Sequence, residues 1–529
     1  MVTRIIAKEV ANKLAIEAAA PVARRAGRTV RRAAKVVQKN VSDAVSGTLG
    51  LSGERMTKVD TAWLRMDSPS NLMMIVGVWI LKPGVSYEAT CERIQERFLK
   101  YPRFGQFVQQ DAAGATWVKD PDFRIERHVV REKLPRTTAQ LQQRALQDRL
   151  AELAVTPLDM KHPLWQFHLV EHYQGGSALM VRIHHCIADG IALVSVTQSM
   201  VDGGTTPPRH KSRQLHHGGL EGAEEWIADS LIKPFTDVAV KALDAAGEGA
   251  VNAMEMMAEP QRGVEKGLAG TIELAKMAYQ VLRDGAALAL MPDDSPTRLK
   301  GTPGTAKRVA WCQPIPLEDV KAVGKALNCS INDVLLSCVA GAIGEYLKSF
   351  GDEVAGKEIR AMVPVNLRQL EDAYKLGNRF GLAPVVLPIG IENPVERVYE
   401  VRRRMSQMKG SMQPLMAFGL LSVAGLLIKP AQDAMLSLFS KKTTAVMTNV
   451  PGPREKLKFC GATLDQSLVW VPQSGTVGLG VSILSYGGGV QFGVIGDTKL
   501  CPEPQKIIDQ FEPEFNKLAM VTLMLPWSE

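Results

Sequence analysis

Residues His184-His185-Cys186-Ile187-Ala188-Asp189-Gly190 constrain the fold more than any other stretch, because they join two apolar segments that call for different secondary structure. Ala178 to Ile183 has the short, β-branched character of a buried strand, and Ile191 to Val201 is an uncharged run of helical length. A strand that passes straight into a helix is the unit of an α/β chain. Both imidazoles then sit where the strand ends. A neutral imidazole at such a place can take a proton from an alcohol, the ordinary work of a histidine general base near neutral pH. Asp189 is close enough in sequence to brace the turn, and Gly190 leaves room for backbone or substrate to approach.

The chain contains its own control. His216-His217 has no strand before it and no Asp-Gly after it, and it reads as polar surface. No third ligand stands at zinc-like spacing from His184 and His185, so no metal is expected there. The seven cysteines are scattered without paired spacing and no secretory signal opens the chain, which suits a reducing, cytoplasmic setting. Cys186, inside the motif, reads as a small packing residue and not as a nucleophile.

At 529 residues the chain exceeds one ordinary core, so two domains are expected. Residues 51–205 read as one α/β unit and residues 306–529 as a second. Between them, 206–305 is alanine- and methionine-rich with Gly, Pro and charge as punctuation, a long helical crossover. The net charge of +8 is concentrated at the start, where residues 1–50 hold ten Lys or Arg against three acids. Apolar residues interleave with those bases at near-helical spacing, as amphipathic helices on an anionic lipid surface require, and the absence of aromatics argues against nucleic acid. The uncharged run Gly410 to Ile428 contains Gln413, Pro414 and Ser422, a poor fit to a spanning helix and a better one to a buried or interfacial helix.

Further motifs stand in order along the chain: Pro163-Leu164-Trp165 ahead of the motif strand, Ser295 to Gly301 closing the crossover, and Asn332-Asp333 opening a helix. Then come Pro364-Val-Asn366-Leu-Arg368, Gly377-Asn-Arg-Phe-Gly381, Thr448-Asn449-Val-Pro-Gly-Pro453 and Gly478 to Ser482. From the residues alone, Pro163 to Trp165 reads first as strand packing, Asn332-Asp333 as a helix cap, and Asn449 to Pro453 as a rigid turn. Taken with the His-His-x-x-x-Asp-Gly turn, the set resembles the bacterial wax ester synthase/diacylglycerol acyltransferase family, within the CoA-dependent acyltransferase superfamily. The likeness spans about residues 57 to 520; the basic arm lies outside it, and Thr448 stands where the family commonly has serine.

The resemblance implies a two-domain, chloramphenicol acetyltransferase-like α/β fold, and transfer of a long acyl chain from acyl-CoA to a fatty alcohol or diacylglycerol without cofactor or metal. It implies His185 as general base, with His184, Asp189 and Gly190 forming the rest of the catalytic turn and no covalent acyl-enzyme. Pro163, Leu164, Trp165, Asn332, Asp333 and Asn449 would bind substrate or shape the cleft, Asn332 being the candidate oxyanion donor. The enzyme would be cytoplasmic and touch a membrane or lipid-body surface peripherally. Two other readings fit parts of the pattern: a peptide-synthetase condensation enzyme, which shares the turn and the fold, and a non-catalytic lipid-droplet-binding protein.

Overall fold

The structure is a computed structural model that describes residues 53–111, 114–205, 292–367, 376–408, 417 and 440–524. The basic arm, His216-His217, residues 206–291 of the helical crossover, Arg368, and the 410–428 run apart from Ala417 lie outside the described residues. Glu54–Arg55 pairs antiparallel with Thr116–Trp117 in a small unit of its own. The larger unit holds the remaining elements.

Two mixed sheets carry the α/β expectation. The first half supplies α1 (Lys58–Arg65), β1 (Met74–Lys82), α2 (Tyr87–Glu96), β2 (Val129–Glu132), α3 (Ala139–Val155), β3 (Trp165–Tyr173), β4 (Gly176–His184) and α4 (Gly190–Met200). The second half supplies β5 (Lys307–Trp311), α5 (Leu317–Ala326), α6 (Ile331–Lys348), β6 (Ile359–Asn366), β7 (Phe380–Leu387) and α7 (Pro394–Met408). It ends with β8 (Ala445–Pro451), β9 (Lys458–Phe459), β10 (Ala462–Trp470), β11 (Leu479–Tyr486), β12 (Gly489–Asp497) and α8 (Pro504–Leu523).

The first sheet runs β9-β10-β1-β4-β3-β2, so it is completed by a hairpin from the other end of the chain. This departs from the expected division at residue 306: β10 pairs antiparallel with β1, Val469 opposite Gly77. The alternation in β10 puts Leu464, Leu468 and Trp470 inside and leaves the residues between them partly exposed, which fixes its buried face but not which strand pairs with its edge. The second sheet runs β7-β6-β8-β11-β12-β5, with β8 parallel to both β6 and β11.

Strand alternation divides the first sheet's work. Met74, Val76, Val78 and Ile80 of β1 join Met180 of β4 and Leu146 and Leu150 of α3 in one core. Ile75, Gly77 and Trp79, one step out of phase, face the opposite side and line a cavity under α4. Each fully buried leucine in such a core contributes about 2 kcal/mol, which is why a register slip of one residue is excluded. In the second sheet α5, α6, α7 and α8 cover one face, with α6 almost wholly buried.

The end of the crossover docks on this frame. Ser295 exchanges hydrogen bonds with Glu358, N to O at 3.0 Å and Oγ from N at 2.9 Å. Arg298 pairs with Asp352 at 2.8 Å and lies over the Phe350 ring, while Asp294 accepts from Arg360 N and Thr444 Oγ1. The Ser295 to Gly301 motif is thus an anchor for the chain as it enters the second sheet. Among the described residues no single helix is long and apolar enough to cross a membrane.

Candidate active site

β4 ends at His184, and backbone hydrogen bonds hold the turn after it from two sides: His184 N donates to Leu164 O at 2.9 Å and His185 N to Met73 O at 2.7 Å. Asp189 then starts α4. Its Oδ1 accepts from Ala192 N at 2.9 Å, which caps a helix rich in β-branched residues that form helix poorly without help. Its Oδ2 accepts from Arg379 N at 2.9 Å, and its own N–H donates to Gly377 O at 3.2 Å. Gly377 has φ of 117°, a backbone that favours glycine, so the segment 377–379 can present one residue backwards to the turn. That residue is Asn378.

The His185 ring is buried against two aromatic rings, Trp63, stacked at 4.3 Å and 13°, and Phe380 at 5.3 Å. Its Nδ1 lies 2.9 Å from Asn378 Oδ1. Asn378 Nδ2 donates to His185 O and to Asp60 Oδ1, each at 2.8 Å, and Asn378 N donates to Asp60 Oδ1 at 3.0 Å. Asp60 is fully buried in the first turn of α1, with Arg103 Nη1 3.6 Å from its other oxygen. Burial pushes the Asp60 carboxyl above its usual range, against the hydrogen bonds of Asn378 and the charge of Arg103. Burial also pushes His185 down to about 4, so the ring is neutral at pH 7.

His184 faces the other way. Cys186 N donates to its Nδ1 at 3.2 Å, which leaves Nε2 as the protonated nitrogen, 3.3 Å from Asp67 Oδ1. Asp67 also accepts from Met73 N at 2.6 Å, so His184 ties the turn to the Met73 strand entry. Cys186 is buried.

His185, Asp189 and Gly190 line a cavity of about 320 Å³ whose remaining walls are almost entirely apolar. Ile75, Trp79 and Val181 of the first sheet and Val363, Val385 and Met405 of the second half contribute to its walls. Asn332 and Asn449 stand together on the second-half wall, Asn449 Nδ2 donating to Asn332 Oδ1 at 3.0 Å. A Cβ on Gly190 would meet nothing within 4 Å, so that position leaves open space at the helix start.

Four of the residues expected at the cleft are elsewhere. Asp333 forms a capping box with Ser330, its Oδ2 accepting from Ser330 N at 2.8 Å, and does not line the cavity. Pro163, Leu164 and Trp165 do not line it either. Trp165 is fully buried, donates from Nε1 to Phe104 O at 2.8 Å and stacks on His128 at 4.4 Å, so the triplet acts through packing and the Leu164 carbonyl under His184. Conversely, sequence reasoning misses Asp60, Trp63, Asn378 and Phe380 as site residues. Asn378 and Phe380 stand in the Gly377 to Gly381 motif, which is the available signal; Asp60 and Trp63 carry none.

His168, hydrogen-bonded to Glu132 at 2.8 Å on the far face of the first sheet, is likewise pushed down to about 4, chiefly by burial. Both imidazoles are neutral when folded but take a proton near pH 6.5 when unfolded. Their contribution to stability is therefore present above that pH and lost as pH falls from 6.5 toward 4. The melting temperature is expected to fall steadily between pH 7 and pH 5, and His168→Gln should flatten part of that slope in a calorimetric titration.

Residues 56–335 match the profile of the wax ester synthase/diacylglycerol acyltransferase catalytic domain, and residues 376–519 that of the WS/DGAT C-terminal domain. Two proteins of Mycobacterium tuberculosis named probable diacylglycerol O-acyltransferases, tgs1 and tgs2, are each 26% identical, over 88% of this chain and 96% of tgs1 and over 87% of this chain and 97% of tgs2. Among solved structures, the wax ester synthase/diacylglycerol acyltransferase from Marinobacter aquaeolei VT8 superposes with a TM-score of 0.59 at 19% identity, covering 89% of this chain and 99% of that one. The first condensation domain of the CDA synthetase gives 0.53 at 15%, covering 89% and 96%, which shows a shared two-domain α/β fold.

Proposed function

Because the chain belongs to the wax ester synthase/diacylglycerol acyltransferase family, we propose that it moves a long acyl chain from acyl-CoA to diacylglycerol or a fatty alcohol in one ternary complex, with His185 as general base. The observation that carries this is a neutral, buried imidazole on the wall of a largely apolar cavity lined by residues from both halves of the chain. With Nδ1 engaged by Asn378, Nε2 is the nitrogen left to act.

It takes the hydroxyl proton as the alcohol oxygen attacks the thioester carbonyl. The tetrahedral oxyanion collapses with cleavage of the carbon–sulfur bond, and the imidazolium returns the proton to the CoA sulfur. Asn332, whose amide oxygen is taken by Asn449, keeps its NH2 group as the oxyanion donor. His184 and Asp189 shape the turn. Cys186 is off the cavity, and no serine or cysteine side chain bonds His185 among the described residues, which supports direct transfer without an acyl-enzyme. The relatives' names favour diacylglycerol as acceptor. Insoluble substrates and the +7 charge of residues 1–50 support a place in the cytoplasm against an anionic membrane or lipid-body surface.

The test follows CoA release from palmitoyl-CoA with dioleoylglycerol, with hexadecanol, and with no acceptor. Release is expected only when an acceptor is present. A burst of CoA equal to the enzyme concentration without acceptor would instead mean that a covalent intermediate forms.

A further inference from the structure

We infer that Asp60 and Asn378 form a relay that locks His185 in the tautomer whose bare Nε2 is free to act as base, making both of them positioning residues for acyl transfer. This rests on the reading of His185 as the base, and goes further by naming what makes it one.

The orientation of the Asn378 amide selects the tautomer, alongside the carbonyl oxygen of His185 itself, which also accepts from the ring. One end of that amide sits 2.8 Å from the carbonyl oxygen of His185 and 2.8 Å from Asp60 Oδ1. A carbonyl oxygen can only accept, so that end must be the NH2 group. The other end is then the amide oxygen, 2.9 Å from His185 Nδ1. An amide oxygen also only accepts, so Nδ1 carries the proton. A neutral imidazole has one N–H, and Nε2 is therefore bare. Trp63 and Phe380 hold the ring plane and oppose the rotation that would exchange the two nitrogens.

Asp60 does two things through the amide. It accepts from both Asn378 N and Nδ2, which fixes the amide against rotation. It also places a carboxyl behind the imidazole, where positive charge develops as Nε2 takes the hydroxyl proton. Because an amide stands between them, the carboxyl cannot take the ring proton. The other groups facing His185 are its own carbonyl oxygen, Asp189 at the start of α4 and the His184 pair with Asp67, while Arg103 faces Asp60 from behind. Asn378 lies 193 residues from His185 and is held there by the bonds of Asp189 to Gly377 O and Arg379 N. The base is thus completed by the second half of the chain.

The experiment compares Asn378→Ala and the isosteric Asp60→Asn with wild type by steady-state kinetics, thermal melting, and two-bond 15N–1H correlation spectra of the full chain labelled at histidine. His185 is assigned in those spectra by His185→Gln. Wild-type His185 is expected as the Nδ1–H form. Asn378→Ala should admit the Nε2–H form and lower kcat on the order of 100-fold, with KM changed less than about threefold, the scale of a misplaced catalytic group.

Asp60→Asn must turn its NH2 group either toward Arg103 or toward Asn378. The second choice sets an NH2 group against the two donors Asn378 N and Nδ2 and loosens the amide's hold on His185, so a mixture of tautomers and a kcat lower by about tenfold are expected with little change in melting. If Asn378→Ala fails to fold, Asp60→Asn decides alone. Retention of pure Nδ1–H by every folded variant overturns the relay. A shifted tautomer with unchanged kcat overturns it through its premise, and in that case His185→Gln will also have kept its activity, which separates the two failures.

Discussion

His185→Ala is expected to lower kcat/KM for acyl transfer by about 10³-fold, within the range that a positioned general base supplies. The loss should fall on kcat, because most of the cavity wall is built from other side chains, among them Ile75, Trp79, Val181, Val363, Val385 and Met405. Stability should change by less. Removing the ring leaves Asn378 Oδ1 without its donor and one face of Trp63 uncovered, a cost of about 1–3 kcal/mol. The variant should therefore purify folded and bind substrate. Release of CoA within about fivefold of wild type by a folded His185→Ala protein would remove the imidazole from the chemistry.

Asp189→Ala should combine a smaller kinetic loss with a larger structural one. It deletes the α4 cap at Ala192 N, worth about 1 kcal/mol, and removes the carboxylate from the Arg379 N–H, worth about 1–3 kcal/mol. A melting shift corresponding to about 3 kcal/mol is expected from the two together. Released by Asp189, the 377–379 segment no longer holds Asn378 against His185, so kcat should fall on the order of 100-fold. Asp189→Asn offers one oxygen where two are needed, and should lie between Ala and wild type in both melting and rate. Equal kinetic losses in Asn and Ala variants, with unchanged melting, would mean that the carboxylate acts by its charge and not by bracing the turn.

The two halves of this site are legible to different degrees. His184, His185, Asp189 and Gly190 are contiguous, and a strand-to-helix turn places contiguous residues together whatever the rest of the chain does. Asn332 and Asn449 can be nominated from motifs, and they meet at 3.0 Å on the cavity wall. Asp333 comes with its neighbour in the same motif, but successive residues on a helix point in different directions, and the N3 position turns its carboxylate back to Ser330. Trp165 fails for a different reason: it lies on the same face of its sheet as Phe167 and Ile183, which line the cavity, but its own ring packs into Phe98 and Phe104 instead of reaching it.

Asp60 and Trp63 show the opposite failure. They lie on one short helix with an ordinary cap at Thr57, and a buried aspartate on a helix carries no sequence mark. The β10 hairpin is similar. Its alternation is visible in Ala462 to Trp470, yet nothing local says that its partner is β1 and not a strand of its own half.

The α/β class, the local turn that carries His185, and the apolar stretches that build two sheets and a lipophilic cavity can all be read along the chain, because periodicity and turn chemistry are properties of neighbours in sequence. Which nitrogen of His185 is bare, and what holds it so, emerges from long-range packing. That choice depends on an amide 193 residues away, 2.9 Å from the ring, and on a carboxylate in the first helix 2.8 Å from that amide, brought together by packing of sheets whose pairing no local rule encodes.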